Sequence, residues 1–270
     1  MEFRERLREA IRLRGSNLCV GLDPVVERLP AGFSRDSEGV ARFVCAIVDA
    51  TADLAAVFKP NAAFFEALGT DGWRVLRETV AYARQFAPVL VDGKRGDIDS
   101  TAEAYARATF DVLGADACTI NPFLGWDGIR PFVQRRERGV FVVCRTSNPS
   151  AADLQDCLVD GQPLYVRVAE LARSWNEYGN VGLVAGATRP GDIARVTEAA
   201  PGLPILIPGV GTQGGDLPGA VSSVGDAPFL INASRAILFR SAGPDFADAA
   251  RGVALDLRDQ IARCRAVGVV

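Results

Sequence analysis

Three charged residues, Asp92, Lys94 and Asp97, follow the apolar run Val89-Leu90-Val91 at fixed offsets. The run reads as a buried strand. Positions i and i+2 share a strand face, so Asp92 and Lys94 point the same way at its C-terminal end. Asp97 lies beyond the turn Arg95-Gly96. Charges on a strand face are costly to bury unless they pair or serve a purpose. Taken alone, Asp-x-Lys-x-x-Asp fits a surface ion pair equally well. The chain contains no histidine, so the usual general acid and base, and the usual zinc ligand, are missing. Any proton chemistry falls to Lys, Asp, Glu, Tyr or Cys.

Short apolar runs that could position these groups recur along the chain. Strands are expected at 18–23, 55–61, 88–92, 117–121, 139–144, 181–185, 204–207 and 228–232. Helical spacing separates them, at 37–53, 64–86, 100–113, 126–138, 164–178, 192–199 and 245–267, after a charged leading helix over 2–14. Ser100 is expected to cap its helix, with Glu103 completing a capping box. A long loop is expected over 146–162. The strands are continuously apolar rather than alternating, as parallel strands covered on both faces are. About eight strand–helix alternations predict a closed (β/α)8 TIM barrel formed by residues 1–270 as a single domain. An open doubly wound sheet is the competing architecture.

Polar residues collect at the C-terminal ends of these strands: Asp23, Lys59, Asn61, Asp92, Lys94, Asn121, Arg145 to Asn148, and Arg235. In a barrel those ends converge on one mouth, where active sites sit. Each residue alone could be a solvated strand end; so many together point to a site. After the seventh strand comes Pro208-Gly209-Val-Gly211-Thr-Gln213-Gly-Gly, and after the eighth Asn232-Ala-Ser-Arg235. Glycines let backbone N–H groups approach an anion, and arginine grips phosphate bidentately. Loops after strands seven and eight are the usual phosphate site of such barrels.

Composition narrows the class further. The 270 residues are 49% hydrophobic and 23% charged, with net charge −3. That is a globular balance, and it argues against nucleic acid or an anionic membrane as partner. The charged N-terminus reads as lacking a signal peptide. The most apolar helical stretch, 40–58, carries Arg42, Asp49 and Asp53, so no membrane span is expected. Six cysteines with no C-x-x-C pair read as small buried hydrophobes in a reducing cytoplasm.

Together these residues resemble the orotidine 5′-phosphate decarboxylase family, in its longer-chain bacterial subgroup. The resemblance covers nearly the whole chain. It rests on Asp92-Gly-Lys94-Arg-Gly-Asp97, the following Ile98-Asp-Ser-Thr101-Ala-Glu-Ala-Tyr105, Phe58-Lys59-Pro-Asn61, Ile120-Asn121-Pro-Phe, Thr146-Ser147-Asn148-Pro, and the two loops after strands seven and eight. Two positions depart from the subgroup: Gly93 stands where alanine is expected, and Ala233 where serine is common. Gly93 is expected to loosen the strand between two catalytic residues.

The resemblance implies decarboxylation of orotidine 5′-monophosphate (OMP) to uridine 5′-monophosphate (UMP), with no metal or organic cofactor. It implies a network of Lys59, Asp92, Lys94 and Asp97, in which Lys94, kept protonated by flanking acids, stabilises and protonates the C6 carbanion. Asp23 and Lys59 would contact ribose. Ser147 and Gln213 would address the pyrimidine, and Gln213 and Arg235 the phosphate, beside Gly209 and Gly211. Asn121 would line the mouth. Family members are homodimers, which implies that Asp97, Ile98 and Thr101 reach the neighbouring subunit's site. The loops over 146–162 and 209–219 are the lid candidates. Two alternatives stand beside this reading. One is an Mg2+-dependent sugar-phosphate lyase or decarboxylase of the same barrel superfamily. The other is a non-catalytic barrel that binds a nucleotide as a regulatory module.

Overall fold

The computed structural model describes residues 2–210 and 215–267. Eight parallel strands form the centre: β1 (Leu18–Leu22), β2 (Val57–Pro60), β3 (Leu90–Arg95), β4 (Ala117–Ile120), β5 (Gly139–Arg145), β6 (Val181–Ala185), β7 (Ile205–Pro208) and β8 (Phe229–Ala233). They pair in the order β2-β1-β8-β7-β6-β5-β4-β3. Parallel bridges Phe58–Val89 and Asn61–Asp92 join β2 to β3 and close the ring. Helices cover the outside, so the expected barrel forms and the open sheet does not. Among the described residues, no helix is long and apolar enough to cross a membrane.

The barrel interior is layered. At its lower end Cys19, Val57, Leu90, Ala117, Phe141, Leu206 and Leu230 pack together, and Phe3 and Leu7 of the leading helix (Phe3–Arg14) plug the opening. A strand returns to the same face every second residue. Two positions further along, the inward set becomes Gly21, Lys59, Asp92, Thr119, Pro208 and Asn232. The apolar layer thus ends where a polar one begins. The larger apolar cluster lies between strands and helices, from Leu18 and Phe58 through Phe43, Phe65, Phe110 and Phe132 to Ile261. Beneath the barrel, buried Asp116 meets Arg6 at 2.9 Å, Arg84 at 3.0 Å and Arg138 at 3.5 Å. These charges fasten the leading helix to the base and lie far from the mouth.

Several boundaries differ from the sequence expectation. Strand β3 continues to Arg95 rather than stopping at Asp92, because its register against β4 shifts between Val91 and Arg95. Ser100 is not a cap. The helix Asp99–Arg107 begins before it with Ile98 at the cap position and no side-chain cap bond, while Glu103 reaches Arg135 at 2.7 Å. The helix Trp126–Val133 ends five residues short of 138, with Pro131 inside it. Lying past the first turn, Pro131 has no N–H to give the carbonyl of Asp127, which weakens the helical ladder near the point where the helix stops. The stretch expected as a loop over 146–162 holds a short helix, Ala152–Gln155, and a two-stranded hairpin, Leu158–Val159 with Gln162–Pro163. Cys19, Cys118 and Cys144 are buried as expected, but Cys157 is exposed.

Candidate active site

The centre of the mouth is a charge array built by three adjacent strands. Lys59 Nζ donates to Asp92 Oδ2 at 2.9 Å, and Lys94 Nζ donates to Asp92 Oδ1 at 2.7 Å. Thr119 Oγ1 also donates to Asp92 Oδ1, at 2.7 Å. Lys59 and Asp92 are buried, whereas the Lys94 side chain is 48% exposed. One ammonium is therefore locked inside the wall and the other stands at the open mouth on the same carboxylate. Burial alone would raise the Asp92 pKa, but Lys59 and then Lys94 outweigh it and hold the carboxyl well below the usual range. Burial alone would lower Lys59, but Asp92 and then Asp23 outweigh it and hold the ammonium well above its usual range. Lys59 and Asp92 thus remain ionised throughout the neutral range.

Lys94 occupies an unusual backbone position. Its φ is +43°, in the left-handed region. For a side chain with a Cβ this costs roughly 1–2 kcal/mol, so the surroundings must hold it there. Its N–H leaves the strand ladder and donates to Thr119 Oγ1 at 3.0 Å. Gly93 needs no such tolerance, because its φ is not positive. A Cβ there would approach Arg95 Nε to 3.1 Å, which a flexible side chain can relieve by a small shift. Gly93→Ala is therefore expected to raise stability by about 0.4–1 kcal/mol through the unfolded chain, read as a higher urea midpoint, with kcat unchanged. A fall in kcat would show that Lys94 needs the looser strand.

The remaining expected site residues divide by position. Asp23 follows β1, and its Oδ1 is buried with no hydrogen-bond partner among the described residues. Asn232 Oδ1 is in the same state, while its amide nitrogen donates to Ser234 Oγ at 3.3 Å. Unsatisfied buried acceptors are rare, and at a mouth they mark where a ligand donor can bind. Asn121 is partly committed, because its Oδ1 accepts from Phe123 N–H at 3.0 Å. Ser147 packs against the end of β6, where Gly186 leaves room: a Cβ on Gly186 would come within 2.9 Å of Ser147 Cβ. Gly209 has φ +99° and its carbonyl accepts from Gly215 N–H at 3.2 Å. Arg235 is exposed and shares a cleft with Arg28 and Phe239. Gly211 and Gln213 lie outside the described residues.

Asp97 does not join the array within one chain. Its Oδ1 accepts from Ile98 N–H at 2.9 Å, and no ion pair links it to Lys94 among the described residues. Ile98 and Thr101 beside it are exposed. Arg145 is a correction to the set of mouth residues. It is almost fully buried, paired with Asp192 at 2.8 Å and Asp156 at 2.8 Å, and it lies over the Tyr165 ring at 4.8 Å. Gln155 beside it accepts from Thr146 N–H at 2.9 Å and donates to Thr146 Oγ1 at 2.8 Å. Together they tie the 146–163 segment to the barrel wall. Thr119 carries no expectation from the sequence, and Asn232 only that of heading the loop after the eighth strand. Each is the inward position two residues beyond an apolar one, Ala117 and Leu230, and that alternation was the available signal.

Fold and site define a class: a (β/α)8 barrel with two ammonium groups held on one buried carboxylate at its mouth. The chain belongs to the orotidine 5′-phosphate decarboxylase / HUMPS family, which residues 16–249 match. It is 52% identical over 266 residues to orotidine 5′-phosphate decarboxylase of Roseiflexus sp. (strain RS-1), covering 97% of each chain. It is 48% identical over 254 residues to the enzyme of that name from Herpetosiphon aurantiacus, covering 93% of this chain and 95% of that one. Among solved structures it superimposes on Leishmania donovani OMP decarboxylase with TM-score 0.87 at 38% identity, over 98% of this chain and 99% of that one. Leishmania donovani UMP synthase matches with TM-score 0.89 at 39% identity, over 98% of this chain and 57% of the longer one.

Proposed function

We propose that this protein converts OMP to UMP and CO2, the last step of de novo UMP synthesis, with Lys94 as the catalytic acid. The observation that carries the reading is the Lys94 ammonium at the open mouth, 2.7 Å from a carboxylate whose other oxygen is held by Lys59. In the reaction the bond between pyrimidine C6 and the carboxylate carbon breaks. Its electron pair stays on C6, where the ring π-system delocalises it poorly. A fixed ammonium beside C6 stabilises that charge in the transition state and then transfers a proton to it, forming the C6–H bond. Solvent reprotonates the resulting amine.

Asp92 would lie near the departing carboxylate. Two like charges about 4 Å apart repel by roughly 4 kcal/mol at an effective dielectric near 20. That repulsion disappears with CO2, but the larger share of the acceleration belongs to Lys94. Asp23 offers an unpaired acceptor to a ribose hydroxyl. Arg235, with Gln213 and the glycines 209 and 211, would bind the phosphate, far from the reacting carbon. Binding energy spent there can drive closure of the 146–162 and 209–219 segments and offset desolvation.

The working unit in this reading is a homodimer of one-domain chains in the cytoplasm. Ile98, Phe123 and Leu124 are 49%, 74% and 47% exposed beside the mouth. A second copy of the chain would cover them and bring its Asp97 toward Lys94. The Mg2+-dependent sugar-phosphate alternative finds no specific support in the site. The test is loss of OMP absorbance when purified protein is added with chelator present. Turnover of a sugar phosphate that chelator stops, with none of OMP, would replace this reading.

A further inference from the structure

We infer that Thr119 is a positioning residue for Lys94: its hydroxyl clamps both the main chain of Lys94 and the carboxylate that steers the Lys94 ammonium. This inference rests on the decarboxylase reading above. Thr119 is 1% exposed and stands on β4, facing the mouth layer rather than the helices. A threonine hydroxyl has one proton to give and lone pairs to accept with. Here the proton goes to Asp92 Oδ1 at 2.7 Å, and the oxygen accepts from Lys94 N–H at 3.0 Å. The Lys94 ammonium donates to the same Asp92 Oδ1 at 2.7 Å. The four groups form a closed ring: Lys94 N–H to Thr119, Thr119 to Asp92, and Lys94 Nζ to Asp92.

The ring explains two local departures at once. The pairing of β3 with β4 shifts register between Val91 and Arg95, so the Lys94 amide loses an ordinary ladder partner. The Thr119 hydroxyl replaces it. The same bond holds Lys94 at φ +43°, which aims its side chain back toward Asp92 instead of along the strand. Without the hydroxyl, a part-buried N–H loses its acceptor and the carboxylate oxygen loses its one neutral donor. The left-handed turn then relaxes, and the ammonium shifts away from the reacting carbon. Thr119 touches no substrate atom in this scheme; it acts through Lys94.

The test compares Thr119→Val, which keeps shape and removes the hydroxyl, with Thr119→Ser, which keeps the hydroxyl. Misplacing a reacting group by about 1 Å costs on the order of 100-fold. The valine variant is therefore expected to lose kcat by about that factor with KM little changed, while the serine variant recovers most of it. Valine with wild-type kcat, valine that raises KM alone, or serine as impaired as valine would each overturn the assignment. The wild-type protein gives an activity-free measurement. The Lys94 amide should exchange slowly with solvent deuterium although its side chain stands at an open mouth, and rapid exchange would sink the clamp even if the valine variant did not fold. A wild type that leaves OMP intact would refute the decarboxylase reading instead, while slow exchange would still support the clamp.

Discussion

Lys94→Ala is expected to abolish OMP turnover while leaving the nucleotide site able to bind UMP. Two separate contributions vanish with the ammonium. Electrostatic stabilisation of a developing charge by one preorganised donor is worth about 100- to 1,000-fold. A positioned general acid adds about 100- to 10,000-fold. Their product is on the order of 10⁴-fold or more in turnover, and UMP affinity measured separately tells it from a loss of binding. The variant is also a clean one. Lys94 is half exposed, and Asp92 keeps its pair with Lys59 and its bond from Thr119 when the second ammonium goes. Lys59→Ala would be harder to read. It removes one partner of a buried pair, which typically costs about 3–5 kcal/mol of stability, so lost activity would mix with lost fold. Stopped turnover in Lys94→Ala, with UMP affinity by calorimetry close to wild type, would confirm the role. Near-normal turnover would refute it.

What the sequence made legible follows from what each residue's neighbours contribute. The barrel was readable because eight short apolar runs each announce a strand buried on both faces. Lys59, Asp92 and Lys94 were readable because charges at the ends of such runs have few reasons to be there. Arg145 met the same criterion and proved structural. Its partners Asp156 and Asp192 come from segments the strand pattern does not connect to it, one of them 47 residues away. Thr119 failed the criterion in the opposite direction. A threonine in an apolar strand looks like an ordinary strand former, and only its inward register gives the hydroxyl its two partners. The extension of β3 to Arg95 was hidden for a related reason. It depends on a register shift against β4 and on a left-handed lysine, neither of which local residue preference encodes. Ser100 shows the limit of cap motifs: the sequence offered a capping box, but the helix began one residue earlier and used Glu103 to hold Arg135.

The position of Asp97 leads to the second large effect. Its carboxylate is turned to its own Ile98 N–H and is unpaired with Lys94 inside one chain, next to exposed Ile98 and Thr101. If the neighbouring subunit supplies this acid, Asp97→Ala alone and Lys94→Ala alone should both be nearly inactive. A mixture of the two should not be. In a heterodimer, the site that keeps Lys94 receives Asp97 from the other chain and is complete, while the second site lacks both. Random reassociation of equal amounts makes about half of the dimers mixed, each with one intact site, so about a quarter of wild-type activity should return. The recovery should grow as subunits exchange and should be absent when the variants are kept separate. Tagging one variant and isolating the mixed dimer sharpens the expectation to about half of wild-type activity per dimer. Verified heterodimers that stay inactive would mean that each chain closes its own site, and Asp97 would then have to swing from its contact with Ile98 to reach Lys94.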